Sequence, residues 1–166
     1  ICSNRKPLMH VVLQPGELKR NPGFAFTETV QEVSGAAGRV YPLSSDTTAA
    51  SYIPSLINSQ HSGTFTSACG ILIYNGDALT LAHKGNAFIC EPAQNLVQRK
   101  VLEPHGSTFK ARSPTQGRDF LASPDQWFRP VFTATGPDGA LYVCDMVRKF
   151  VDHPHYLPES ARVGMD

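Results

Sequence analysis

The stretch WFRPVFTATGPDGALYVCDM, residues 127–146, decides how the chain is interpreted. Its β-branched and aromatic residues flank Gly136-Pro137-Asp138-Gly139, where proline presets one backbone angle and glycine tolerates positive φ. This pattern predicts a hairpin with strands over 131–135 and 140–145. An earlier stretch, GILIYNGDALTLAHKGNAFICEP, repeats the same order of strand, turn, strand and cysteine.

Internal repetition extends to three places in the chain. They are ICSNRKPLMHVVL from Ile1, ICEPAQNLVQRKVL from Ile89 and VCDMVRKFVDH from Val143. Cys2 and Cys90 are 88 residues apart, and Cys90 and Cys144 are 54 apart. Periods of about 40 to 50 residues with four strands per unit are typical of propeller blades. The repeats favour an all-β propeller, and a self-contained β-sandwich stays open as the alternative.

The remaining patterns divide the chain into units. Further strands are predicted over 69–74, 87–91, 96–102, 108–112 and 147–152. Residues 14–60, rich in Ser, Thr, Pro and Gly, are predicted to be an irregular excursion with one short helix over 26–33. We expect 1–13 to end one blade, 14–60 to be the insertion, 61–122 to form a blade, and 123–166 to begin a last, incomplete one. That amounts to a partial β-propeller, about two to three blades of a ring of roughly six.

Composition excludes several classes of protein. The net charge is +1 and the basic residues are scattered, so no nucleic-acid partner is expected. No apolar run approaches the ~18 residues of a membrane helix, so no direct membrane span is expected. The chain starts at Ile1 inside an apolar segment and carries no signal peptide, so we expect a fragment of a longer protein.

Five segments carry a family resemblance: CSNRKPLMHVVL, HSGTFTSACGILIYNGDAL, GNAFICEPAQNLVQRKVLEPHGSTFKAR, FLASPDQWFRPV and GPDGALYVCDMVRKFVDHP. In this order they resemble the β-propeller domain of large bacterial periplasmic proteins called membrane-bound or quinoprotein-type dehydrogenases. Those propellers are similar to soluble glucose and sorbosone dehydrogenases. They are commonly joined to helical repeats and to a haem-binding cytochrome c domain.

The resemblance implies a periplasmic or exported dehydrogenase that oxidises a sugar or alcohol and passes electrons to a cytochrome c domain or protein. It alone implies pyrroloquinoline quinone (PQQ) and Ca²⁺ as cofactors, and the chain has no Cys-x-x-Cys-His for haem c. Val147 stands where a Tyr is usual, Cys144 replaces a small aliphatic residue, and ALTLAHKGN departs from the pattern, so catalytic residues stay unassigned. The alternative is a non-catalytic binding or assembly module, or a subunit completed by the remaining blades or a partner chain.

The candidate site follows from blade geometry. The segment before the first strand of a blade opens on the same face as the segment after its second strand. Trp127 and Arg129 are therefore expected to approach Asp145 and Arg148, which would combine an aromatic wall with oriented polar groups at a channel mouth. Arg129 could bind a carboxylate with two hydrogen bonds, or it could pair with Asp145 while Trp127 packs between blades. His61 is the candidate in the preceding blade, with a surface-loop histidine as the alternative.

The four cysteines allow three full pairings. Folding strand 69–74 against 87–91 would place Cys69 near Cys90, at the ~5.5 Å Cα separation of a disulfide. In an oxidising compartment this bridge would contribute roughly 3 kcal/mol. The alternative is that all four are small buried apolar residues. No metal site is expected, because Pro154 holds His153 and His155 in an extended loop without a third ligand nearby.

Overall fold

The structure is a computed structural model that describes residues 1–23, 29–35, 38–43, 63–149 and 159. The elements are β1 Met9–Val11, α1 Pro15–Arg20, β2 Val30–Glu32, β3 Cys69–Ile73, β4 Ala87–Glu91, β5 Leu96–His105, β6 Thr108–Arg112, β7 Leu121–Ala122, β8 Pro130–Thr135 and β9 Leu141–Asp145. The prediction of an all-β fold is confirmed, and the sheets formed by these residues are small and unclosed. In these ranges no helix has the length and apolar character needed to cross a membrane.

The central sheet consists of β3, β4, β5 and β6, antiparallel and in chain order, with β7 added beside β5. Every residue of β4 is buried, because alternate side chains enter clusters on opposite faces of the sheet. Ala87 and Ile89 belong to one cluster, and Phe88 and Cys90 belong to the other. The sheet is therefore covered on both sides at β4.

Two smaller sheets cover those faces. The N-terminal ribbon, β1 paired with β2, lies on the Ile89 side, where Leu8 and Val33 join the buried cluster. The C-terminal hairpin, β8 paired with β9, lies on the Phe88 side, where Leu141 and Val143 pack against the cluster. The described chain is thus layered as ribbon, central sheet and hairpin.

The hairpin meets the central sheet at Gly70. Gly70 has a φ of +56°, and a Cβ added there would lie 2.6 Å from the Cα of Phe132. The Thr133 hydroxyl also donates a hydrogen bond of 2.6 Å to the Gly70 carbonyl. Strand β8 therefore packs directly on β3, and a larger residue at position 70 would push the hairpin away.

Most strand predictions agree with the structure. Residues 87–91 and 108–112 match β4 and β6, the bounds of β3, β8 and β9 differ by one residue, and β5 runs three residues beyond 102. The turn between β8 and β9 closes with the Gly139 N–H donating to the Gly136 carbonyl at 3.0 Å. Local turn chemistry and alternation are sufficient for these elements.

Two predictions fail where the structure describes them. The helix over 26–33 is wrong for Val30–Glu32, which form β2 because β1 offers a partner strand with Val11 opposite Val30. Residues 26–28 lie outside the described residues. The strand over 147–152 is absent at 147–149, where Val147 has a φ of +48°, incompatible with an extended strand. Residues 150–152 lie outside the described residues.

Candidate functional site

One end of the C-terminal hairpin brings three of the candidate residues together. The backbone N–H of Arg129, just before β8, donates to Oδ1 of Asp145 at 2.8 Å. The Val147 N–H donates to the same oxygen at 2.9 Å. Arg148 is close as well, since its carbonyl accepts a 2.8 Å hydrogen bond from Nε of Arg129. The segments before β8 and after β9 therefore converge at this end.

The guanidinium of Arg129 is buried and donates to backbone carbonyls. Nη1 donates to the Pro92 carbonyl at 2.7 Å, and Nη2 donates to the carbonyl of Lys149. These acceptors lie in the segment after β4 and in the segment after β9. Arg129 therefore ties together the two loops that follow the second strands of the central sheet and the hairpin. The Asp145 carboxylate accepts from the Arg129 backbone N–H.

The other candidates at this end face solvent. Trp127 is 53% exposed, and its backbone N–H is held by Oδ1 of Asp125 at 2.9 Å. Arg148 and Asp145 are also exposed. The hairpin end thus exposes a cation and a carboxylate, with an exposed indole two residues before Arg129, and these groups are of the kind that can stack on a flat ligand and orient its polar groups. His61 lies outside the described residues.

A second carboxylate occupies the equivalent position in the central sheet. Glu91 follows Cys90 as Asp145 follows Cys144, and its side chain is fully buried. Oε2 accepts the backbone N–H groups of Thr66 and Ser67 at 3.0 and 2.9 Å, and Oε1 accepts both hydroxyls at 3.1 and 2.7 Å. Burial raises the pKa of Glu91, although these hydrogen bonds oppose the rise. The repeated Cys-acidic pair is the sequence signal that marks this position.

The sequence analysis missed an apolar cavity between the N-terminal ribbon and the central sheet. It has a volume of about 430 Å³ and is lined by Met9, His10, Ile71 and Leu102, among others. Nδ1 of His10 lies 3.1 Å from the Thr108 hydroxyl. No local pattern predicts this cavity, because it forms only when the ribbon docks.

The cysteine geometry agrees with the strand pairing. Cys69 and Cys90 stand directly opposite each other on β3 and β4. Burial raises the pKa of each thiol to about 12. Both thiols are unbonded in the structure, as are those of Cys2 and Cys144, so the disulfide stays a prediction.

Metal binding can be checked against the side chains that the structure describes. In the ranges given above, no three His, Cys, Asp or Glu side chains are grouped so that they could hold a metal ion.

Comparison with known proteins identifies a family without assigning an activity. A family model described as "Domain of unknown function (DUF7133)" matches residues 1–166. The match covers the whole chain, so the chain belongs to this family. No curated protein and no solved structure matches the chain. The function must therefore be argued from the site.

Proposed function

We propose that this member of the DUF7133 family is part of a β-propeller, within a quinoprotein-type dehydrogenase that oxidises a sugar or alcohol. In this proposal the protein is periplasmic or exported and passes electrons to a cytochrome c domain or protein. In the described residues no three His, Cys, Asp or Glu side chains are grouped to hold a metal ion, so a cluster of carboxylates for Ca²⁺ would come from other residues of the protein. When bound, PQQ would supply the two-electron acceptor.

The observation that carries the proposal is the stacking of β8 on β3. The central sheet contains a four-stranded antiparallel meander in chain order, with the short β7 beside β5, and the hairpin after it forms a second sheet. Strand β8, which begins the hairpin sheet, packs face to face on β3, which begins the central sheet, at Phe132 and Gly70. Propeller blades are four-stranded meanders that bury one another's faces in this manner.

Repeated capping chemistry gives further support. Asp145 accepts the N–H of Arg129 before β8, and Glu91 accepts the N–H of Thr66 before β3. In both hairpins, the acidic residue that ends the second strand thus accepts a hydrogen bond from the backbone just before the first strand. Two unrelated hairpins would not be expected to share this long-range contact.

The residues at the hairpin end have two different roles in this proposal. Trp127 and Arg148 are exposed and would contact the substrate or the quinone. Arg129 acts as a positioning residue, because its guanidinium holds the two loops that follow β4 and β9. A Trp127→Ala change would remove an aromatic surface without emptying the core.

The test uses the full-length protein with added PQQ and Ca²⁺, and measures dye reduction with aldoses and simple alcohols. We expect cofactor-dependent reduction by the wild type and roughly a tenfold loss in Trp127→Ala, the size of one lost stacking contact. Leu81→Ala is the control, because Leu81 is 84% exposed and lies away from the hairpin end. Absence of cofactor-dependent reduction in the wild type would overturn the proposed activity. Equal losses in both variants would remove Trp127 from the site.

A second candidate, a non-catalytic assembly module, is favoured by the outer face of the C-terminal hairpin. Phe132 and Tyr142 are 55% and 51% exposed on strands β8 and β9. The corresponding face of β3 and β4, which carries Phe88 and Cys90, is covered by the hairpin itself. The repeat therefore indicates another β-sheet as the partner of this apolar face.

Size-exclusion chromatography of the 166-residue chain tests the assembly module. We expect association that weakens when Phe132 is changed to Ser, and no change for Leu81→Ala. A dispersed wild-type monomer across the accessible concentration range would contradict this candidate.

A further inference from the structure

We propose that Cys69 and Cys90 form a cross-strand disulfide by thiol–disulfide exchange with a small disulfide such as oxidised glutathione, and that the bond closes while the chain folds. The inference does not depend on the proposed dehydrogenase activity. It selects a single bridge among those that the four cysteines allow.

Strand register carries the proposal. Cys69 and Cys90 are directly paired residues of an antiparallel ladder. Residues paired in this way have Cα atoms about 4.5 or 5.5 Å apart, depending on the hydrogen-bond pattern, and both values suit a disulfide. No movement of the strands is therefore required to bring the two thiols within bonding range.

The two thiols also lie on the same face of the central sheet. Cys90 is a buried member of the cluster formed with Tyr74, Phe88 and Val97, and Cys69 packs against that cluster. A bond between them would cross no backbone, since both side chains are on the side of the sheet that the C-terminal hairpin covers.

The other two cysteines are placed less favourably. Cys2 packs against the cluster on the opposite face of the sheet. Cys144 is exposed, and its cross-strand partner is Phe132. Each contributes electrostatically to the raised pKa of the Cys90 thiol. They are therefore the competing partners that an experiment must exclude.

The reaction balances as two exchange steps. The Cys69 thiolate attacks the external disulfide, a mixed disulfide forms, and one thiol leaves after taking up a proton. The Cys90 thiolate then attacks the sulfur of Cys69 and releases the second thiol. Two electrons pass from the cysteine pair to the external disulfide, which is reduced to two thiols.

Folding determines when the exchange can take place. Burial raises the pKa of both thiols to about 12 in the folded chain, so the attacking thiolate is scarce at neutral pH. Cys90 is also fully buried and out of reach of a small disulfide. In the unfolded chain both barriers are absent. Exchange should therefore be at least roughly tenfold faster during refolding than in the folded, reduced protein.

The experiment refolds the full chain from urea with oxidised glutathione, blocks free thiols by alkylation, and maps unreduced peptides by mass spectrometry. We expect a peptide that joins Cys69 to Cys90, a mass lower by two hydrogens for that pair, and a glutathione adduct on exposed Cys144. Reduction should lower the unfolding midpoint by roughly 6–12 °C. The folded, reduced protein in the same buffer should form the bond more slowly, and faster as the pH is raised.

Variants separate the pairings. Cys90→Ser should leave Cys69 as a glutathione adduct, whereas Cys144→Ser and Cys2→Ser should leave the joined peptide unchanged. The wild-type peptide map does not require any variant to fold. Full alkylation of Cys69 and Cys90 after refolding, or a peptide that joins either of them to Cys2 or Cys144, would overturn the proposal.

Discussion

The hairpins β3–β4 and β8–β9 share one plan but differ in burial. A cysteine precedes the final residue of the second strand in each, and it faces Cys69 in the first hairpin and Phe132 in the second. Phe88 is fully buried, whereas Tyr142, two residues before the equivalent cysteine, is 51% exposed. Similar local sequences are therefore buried in one hairpin and exposed in the other. The position of each hairpin among the stacked sheets determines the burial of its residues.

Packing explains the difference. The first hairpin has the N-terminal ribbon on one face and the second hairpin on the other, so β4 is buried throughout. The second hairpin packs against the central sheet with one face, which includes Thr133, Leu141 and Val143, and in the described residues its other face carries exposed side chains. Equivalent substitutions should therefore lower the free energy of unfolding much more in the first hairpin than in the second.

Truncating Phe88 and Tyr142 should give the largest difference in the free energy of unfolding between the two hairpins. Phe88→Ala should lower the free energy of unfolding by about 3–5 kcal/mol, because it empties a fully packed site. Tyr142→Ala should cost less than about 1 kcal/mol, because the ring is half exposed. Urea unfolding followed by circular dichroism measures both. Equal losses would mean that the outer face of the second hairpin is already covered in solution.

The sequence predicts the strands of the two hairpins but not the difference in their burial. The strands of both hairpins were predictable, because alternation and the turn at Gly136–Gly139 are local signals. The proximity of Cys69 and Cys90 followed from the same pairing. Burial was not predictable, since Phe88 and Tyr142 look alike until the layers are assembled.

Two other features depend on contacts that the sequence does not encode locally. The partner of β2 is β1, and without it Val30–Glu32 could be taken for a helix. The Pro92 and Arg148 acceptors of the Arg129 guanidinium are main-chain carbonyls, which every residue carries, so residue type alone does not identify them. Long-range backbone acceptors leave no signal in residue type.

Removing the capping carboxylates should give the next largest contrast. Glu91→Ala should cost about 3 kcal/mol, because it removes a fully buried carboxylate and leaves the N–H groups of Thr66 and Ser67 without their acceptor. Asp145→Ala should cost about 1 kcal/mol, because Asp145 is exposed and water can replace its carboxylate as the acceptor for the N–H groups of Arg129 and Val147. The midpoints of urea unfolding provide the measurement. A greater loss for Asp145→Ala would show that the hairpin end is the more important anchor.

The smallest expected difference between the two hairpins is the pH dependence of the contribution that Glu91 makes to stability. Burial raises its pKa in the folded state above the ordinary value of 4.5, so between the two values the folded chain binds more protons than the unfolded chain. Its contribution to stability is then fully present below pH 4.5 and is lost as the pH rises through the folded-state pKa. Glu91→Gln mimics the protonated acid, since its carbonyl oxygen can accept the backbone N–H groups while its amide donates to the rotatable hydroxyls.

We therefore expect the wild type to lose stability relative to Glu91→Gln as the pH rises from mildly acidic to neutral. Urea unfolding at several pH values, with Asp145→Asn measured beside it, separates the buried carboxylate from its exposed counterpart. If the wild type instead gains stability relative to Glu91→Gln as the pH rises, the four hydrogen bonds outweigh burial. Glu91 would then be an ionised anchor, like an ordinary capping carboxylate, and the two hairpins would differ in solvent exposure but not in the charge state of their caps.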